Sequence, residues 1–192
     1  MMRSILVGIL VLMAAGVGFI TFQWYRTVNG GEPYGAPFTL VDQKGGEITE
    51  AAFRSQPSAV FFGFTHCPEV CPTTLFELDG WLKKLGDDGK NIRAYFVSVD
   101  PERDTPEVLN AYISNVSDRI TGITGSPDKI AAMTKSFGIY AKKVPLEGGD
   151  YTMDHTASIL LLSNGGDFAG TIAYGENPDT ALAKLKRLAS EG

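Results

Sequence analysis

A chain of 192 residues with 44% hydrophobic content is enough for one compact domain with its own core plus an appendage, and two domains would be cramped. Seventeen basic against 22 acidic residues leave a net charge of −5 with no basic cluster. That excludes nucleic-acid binders, which neutralise a phosphate backbone with lysines and arginines.

The first element is apolar. Ile5 to Phe22 is an uncharged stretch of 18 residues behind Arg3, and as a helix it reaches about 27 Å, close to the hydrocarbon thickness of a bilayer. This predicts an N-terminal transmembrane anchor within residues 1–25, with Arg3 keeping the N-terminus cytoplasmic and Trp24 and Tyr25 at the far interface. The competing reading is a cleaved signal peptide, because Ala14, Ala15 and Gly16 suit a protease site; Val17 to Phe22 nevertheless continues apolar beyond them. No Arg-rich, Ser-rich organellar presequence precedes the span. The expected location is therefore the bacterial cytoplasmic (inner) membrane, single-pass, with the globular part on the periplasmic side, where close cysteines can form a disulfide. Residues 26–36, with Asn29, Gly30, Gly31, Pro33 and Gly35, read as a flexible tether to a domain over 37–192.

Phe38 to Leu40 and Glu47 to Thr49 are predicted as short strands around the turn Gln43-Lys44-Gly45-Gly46. Ala59 to Phe64 is a continuous apolar run, as expected of a strand buried on both faces. From Val70 to Leu85, the residues Leu75, Leu78, Trp81, Leu82 and Leu85 recur at helical spacing, and Gly86 follows as a stop. Pro72 fits the first turn, whose N–H groups lack intrahelical partners anyway. Ile92 to Val99 reads as a second buried strand, Thr105 to Val116 as a helix with Thr105 as N-cap and Pro106 first, and Ile120 to Thr124 as another strand. Ser126-Pro127 opens a helix to about Phe137. Ile139 to Val144 and Tyr151 to Met153 flank Glu147-Gly148-Gly149 as a hairpin; Ser158 to Leu162 and Phe168 to Tyr174, joined through Asn164-Gly165-Gly166-Asp167, make a stronger one. Pro178 to Leu188 closes as an amphipathic helix. The expected class is α/β: a mixed sheet with helices on both faces, in an order similar to a thioredoxin-like fold.

The chemistry concentrates at Cys67 and Cys71, the only cysteines, in Phe64-Thr65-His66-Cys67-Pro68-Glu69-Val70-Cys71-Pro72, where the buried strand ends and the helix begins. With Cys71 in the first helical turn and Cys67 just before it, the Cα atoms lie about 6 Å apart, which permits a disulfide or a shared metal ion. A helix start favours thiolate over thiol, the form needed for exchange and for ligation. The bland alternative is a disulfide that merely staples the helix start, although so short a loop gains little from it.

Of the two histidines, His155 precedes the strand Ser158 to Leu162, and a loop entering that strand faces the cysteine-bearing helix in a thioredoxin-like sheet. Two thiolates and one imidazole form a soft set suited to trigonal Cu(I) and able to take Cu(II) with an added ligand. Zinc accepts the same donors with water in a fourth position, so ligand type alone leaves the metal open, while a closed structural zinc cage lacks its second cysteine pair. Other residues carry a functional and a plainer reading: His155 also as a strand-entry histidine bonded to backbone, Met153 as a soft thioether ligand or a gap filler, Glu69 as a redox or proton partner or an acid answering the helix dipole, Asp100 as a support behind the site or a turn initiator, and Asp154 as a residue that tunes the loop. His66 projects away from Cys67's direction in an extended segment and is expected to be structural.

On these residues the chain resembles the Sco/SenC family of membrane-tethered copper proteins that help assemble the binuclear CuA centre of cytochrome c oxidase. The resemblance runs from the anchor to the end. Its most specific parts are Gly63-Phe64-Thr65-His66-Cys67-Pro68-Glu69-Val70-Cys71-Pro72, Ser98-Val99-Asp100-Pro101-Glu102-Arg103-Asp104-Thr105-Pro106 and Tyr151-Thr152-Met153-Asp154-His155-Thr156. The resemblance implies a thioredoxin-like fold with an inserted hairpin, and copper, as Cu(I) or Cu(II), held by Cys67, Cys71 and His155. It also implies cytochrome c oxidase subunit II, which carries the CuA domain, as a partner, and another copper chaperone as a possible donor.

Within that family two functions compete. One is a metallochaperone that passes copper to a partner's thiolates from a fixed place at the membrane. The other is a thiol-disulfide oxidoreductase in which Cys67 and Cys71 are the redox-active pair that keeps the CuA cysteines reduced. The four-residue spacing and the histidine favour the first, because dedicated reductases use C-x-x-C and a cis-proline where Asp154-His155-Thr156 stands. A peroxidase, suggested by Thr65 near Cys67, lacks an activating arginine in the motif, and a redox-sensing domain would use the same disulfide as a switch.

Overall fold

The computed structural model describes Gly8, residues 12–22 and residues 33–190. The chain divides into two compact units, Met1–Glu32 and Pro33–Gly192. In the first, residues 12–22 are helical (α1). Among the described residues no helix is long and apolar enough to cross a membrane. The rest of the expected anchor, residues 1–7, 9–11 and 23–25, and most of the expected tether lie outside the described residues.

The second unit runs β1 (Thr39–Asp42), β2 (Glu47–Thr49), α2 (Ala51–Arg54), β3 (Ser58–Gly63), α3 (Val70–Lys84), α4 (Asp87–Lys90) and β4 (Arg93–Ser98). It continues with α5 (Pro106–Ser114), β5 (Ile120–Thr124), α6 (Pro127–Ser136), β6 (Ala141–Pro145), β7 (Tyr151–His155), β8 (Ser158–Leu162), β9 (Phe168–Ala173) and α7 (Pro178–Ser190). Seven strands form one sheet in the order β2-β1-β5-β4-β3-β8-β9, and β6 and β7 form a separate two-stranded sheet. The β3, β4 and β5 strands are mutually parallel, and β8 returns antiparallel against β3. This is the mixed sheet expected from the alternating pattern.

The centre of the sheet explains the apolar run in the sequence. All six residues of β3 are buried, as a strand covered on both faces requires. Leu75, Leu78 and Leu82 of α3, Leu109 and Ile113 of α5, Ile130 and Met133 of α6, and Leu185 and Leu188 of α7 supply the helical side of the core. At the N-terminus of α5, Thr105 caps as expected, its hydroxyl accepting from the Val108 N–H, with Pro106 in the first turn.

Two short helices depart from the sequence reading. The four-residue α2 and α4 carry too few residues for any apolar period to register, and Gly86, expected as a stop, forms the joint between α3 and α4 at φ 61°. The inserted hairpin is present, but β7 extends through His155, which therefore ends a strand rather than standing in a loop. Its turn is a short 3-10 segment, Glu147–Gly149, with Gly148 and Gly149 at φ 83° and 86°.

Strand register delivers the site. Phe61 of β3 pairs with Ile159 of β8. Continuing that antiparallel register past Gly63, the residues preceding β8 run alongside the segment that follows β3. His155 is thereby carried to the level of the cysteine loop.

Candidate metal centre

Cys67 and Cys71 are both free thiols, Cys67 half-buried and Cys71 fully buried. Their Sγ atoms and a ring nitrogen of His155 lie within 4.8 Å of one another. Cys71 Sγ and His155 Nε2 are 3.6 Å apart. The other ring nitrogen is committed: Nδ1 lies 3.0 Å from the Thr156 carbonyl oxygen, which can only accept. That bond fixes the tautomer and leaves the Nε2 lone pair facing the sulfurs, the usual arrangement of a metal-binding imidazole. Phe64 and Phe61 wall the ring edge-on, with centroids 5.6 and 6.1 Å away.

The helix start is built around sulfur. Glu69 occupies the N-cap position of α3 without a side-chain capping bond. In its place the Cys71 N–H donates to Cys67 Sγ at 3.3 Å. The Cys67 pKa falls to about 4: a hydrogen bond from the Cys71 thiol is the largest cause, partly opposed by burial and assisted by the Cys71 and Glu69 N–H groups. Cys71 moves the opposite way, raised first by its bond to Cys67 and then by burial. The pair thus keeps one proton, with the thiolate on the more exposed sulfur. Gly63 makes room for this packing: a Cβ there would stand 2.9 Å from Cys71 Sγ and 2.6 Å from the Phe96 ring.

A second layer comes from the segment between β4 and α5. Asp104, fully buried, accepts from the Ser98 hydroxyl at 2.6 Å and from Thr65 twice, through its N–H at 3.1 Å and its hydroxyl at 2.6 Å. Burial nevertheless pushes the Asp104 carboxyl up. Thr65 is thereby tied down two residues before Cys67. Asp100, also buried, accepts from Arg103 Nε at 2.5 Å and from the Tyr151 hydroxyl at 2.7 Å. One strip of chain therefore touches both the cysteine loop and the hairpin that carries His155.

The structure brings together Cys67, Cys71 and His155, and leaves the other candidates outside. His66 is exposed, its Nδ1 3.2 Å from the Thr65 hydroxyl. Met153 packs against the core, and Asp154 is exposed opposite Lys142. Sequence reasoning gave Asp104, Arg103 and Tyr151 no role, although all three stand in the quoted motifs; the usable signal was a run of charges directly after a buried strand. Tyr112 was missed as well. Its hydroxyl is buried without a hydrogen-bond partner, and burial followed by the charges of Cys71 and Cys67 raises its pKa, so the phenol stays protonated.

A mixed sheet with two thiols following the carboxyl end of β3 and one imidazole brought beside them from the end of β7 defines a thioredoxin-like domain with a dithiol–imidazole centre. The SCO1/SenC family profile matches residues 26–190, and the chain belongs to that family. Protein SCO1 homolog 1, mitochondrial, of Arabidopsis thaliana is 35% identical over 146 residues, 76% of this chain and 43% of the relative. The chain spans about half the length of the curated relatives it matches. Among solved structures, Bradyrhizobium japonicum ScoI with copper bound is 45% identical with a TM-score of 0.74, covering 80% of this chain and 98% of that one. BsSco, described as a member of the Sco family of cytochrome c oxidase assembly proteins with a disulfide switch, is 26% identical with a TM-score of 0.66, covering 83% and 96%.

Proposed function

We propose that this protein is a copper-binding metallochaperone that helps assemble the CuA centre of cytochrome c oxidase, with Cys67, Cys71 and His155 as the copper ligands. The convergence of the three donors within 4.8 Å carries the reading. Two soft sulfurs and an imidazole nitrogen fit trigonal Cu(I), and a fourth donor would complete a Cu(II) site. With two thiolates, bound Cu(I) leaves the site at charge −1 and Cu(II) at zero. Handing copper to an acceptor's thiolates then proceeds by ligand exchange, starting at the more exposed Cys67. ScoI with copper bound supports the choice of metal, and the description of BsSco supports the assembly role.

The expected anchor (1–25), tether (26–36) and copper-binding domain (37–192) belong to the same proposal. They place the domain on the periplasmic side of a bacterial inner membrane, beside the acceptor, cytochrome c oxidase subunit II, with another copper chaperone as the donor. A dithiol reductant that keeps the CuA cysteines reduced is the second reading, favoured by the low pKa of Cys67 beside a buried resolving thiol. Nothing in that chemistry needs His155. Against a peroxidase, the Thr65 hydroxyl is held by Asp104, and Arg103, in the motif that follows β4, pairs with Asp100.

Competitive Cu(I) titration of the reduced chain against a chromogenic chelator tests the proposal. One copper per chain is expected, lost in Cys67→Ser and in Cys71→Ser, because one thiolate with an imidazole is a poor soft site. Retention of copper by either serine variant contradicts it, and disulfide exchange without copper binding favours the reductant.

A further inference from the structure

The β6–β7 hairpin that ends in His155 forms no part of the seven-stranded sheet. Its base is fixed, since the Thr156 N–H donates to the Tyr140 carbonyl at 3.0 Å and β8 follows directly. Its far end is the closed turn at Glu147–Gly149. Tyr151 pairs with Pro145 near that turn, and His155 pairs with Ala141 at the base. Four residues apart on one strand, Tyr151 and His155 project from the same face, as Met153 between them does. Beneath that face is a cavity of about 170 Å³ whose lining includes Val99, Ile130, Thr134 and Met153. Dry packing therefore covers only part of the hairpin's underside.

What fastens the far end is polar and comes from a single short segment. The Tyr151 hydroxyl donates to buried Asp100 at 2.7 Å, and Arg103 Nη1 donates to the Tyr151 carbonyl at 3.0 Å and to Asp150 at 3.3 Å. The Arg103 guanidinium carbon sits 3.7 Å from the centre of the Tyr151 ring, with Lys143 Nζ at 4.1 Å. Asp100 in turn pairs with Arg103 and takes its own place from Ser98, whose hydroxyl accepts its N–H at 3.0 Å. A hydrogen bond to a buried carboxylate is among the strong ones, and a cation held over a phenol ring adds to it.

We propose that Asp100, Arg103 and Tyr151 are positioning residues that latch the hairpin down and so hold the His155 imidazole against the sulfur pair. Opening the latch lets the hairpin turn about its held base at Tyr140 and Thr156, which swings the His155 ring off the sulfurs and leaves copper on two of them, the state from which an acceptor's thiolates can take it. The ligand role of His155 in this inference rests on the proposed function; the mechanical role of the latch does not.

Tyr151→Phe is the test variant, because it keeps the ring under the guanidinium and removes only the bond to Asp100. Arg103→Lys serves as the second variant if the first folds poorly. In the full-length, reduced, metal-free chain, amide hydrogen exchange over residues 141–155 is expected to speed up about tenfold, with β3, β4 and α3 unchanged. Cu(I) is expected to dissociate several-fold faster from Tyr151→Phe than from the parent, with no further acceleration when the variant is made on a His155→Ala background. Unchanged exchange in the hairpin, exchange accelerated throughout the domain, or a copper effect of the same size without His155 overturns the latch. Absence of copper binding in the parent refutes the proposed function, while the exchange measurement still judges the latch.

Discussion

The His155 imidazole is available to the sulfurs because its Nδ1 is already occupied by the Thr156 carbonyl. Removing the ring as His155→Ala deletes the proposed nitrogen ligand without touching the dithiol. Cu(I) affinity is expected to fall at least about tenfold, roughly 1.4 kcal/mol, in a competition titration, while Cys67 and Cys71 still oxidise and reduce reversibly. Unchanged affinity would remove His155 from the ligand set. Cys67 makes a second residue-scale prediction. With its pKa lowered to about 4, it is a thiolate at any pH above that value, so its alkylation rate stays flat where a free cysteine, at about 8.5, has lost its reactivity. The rate drops only as pH falls through the lowered value, and buried Cys71, raised, adds no second rise near neutrality. An alkylation profile that rises through the ordinary thiol range contradicts this charge distribution. These three positions were legible in the sequence because so few sulfur and imidazole groups exist. Their proton arrangement was not, since it depends on backbone N–H groups and a carbonyl that any residue supplies.

At the scale of elements, the site hangs on the ends of β3, α3 and β7, tied together by the segment between β4 and α5. Asp104 is its firmest knot. Asp104→Ala leaves the buried Ser98 hydroxyl without its acceptor and takes the carboxylate from both donors of half-buried Thr65, and a buried unpaired donor costs about 1–3 kcal/mol. The variant is expected to lose about 1–3 kcal/mol by urea denaturation, and a loss well below about 1 kcal/mol would show that water replaces the carboxylate. Sequence pattern located β3 and α3 well, because a six-residue buried strand and a helix with a leucine stripe carry strong periodic signals. The end of β7 was harder to read: Asp154 and Thr156 are polar neighbours of His155, and its pairing with Ala141 depends on a hairpin register set by glycines. The Asp104–Thr65 tie spans 39 residues, a separation at which local pattern says nothing. Tyr151 was legible as a strand residue, and its grip on Asp100, across 51 residues, was not.

For the whole molecule, every buried apolar side chain among the described residues lies between Phe38 and Leu188. Residues 33–192 alone are expected to unfold cooperatively within a few degrees of the full chain, and a collapse of the transition would contradict it. On the proposed anchor, the full chain stays in the membrane fraction through an alkaline wash and the shortened chain does not; release of both would remove the anchor from the account. The central claim is simpler: two sulfurs and one ring nitrogen meet at a single metal. X-ray absorption at the copper edge of the reduced, Cu(I)-loaded protein measures that donor set directly. The account predicts two sulfur scatterers and one imidazole nitrogen, the nitrogen lost in His155→Ala, and a spectrum with sulfur alone in the parent would contradict it.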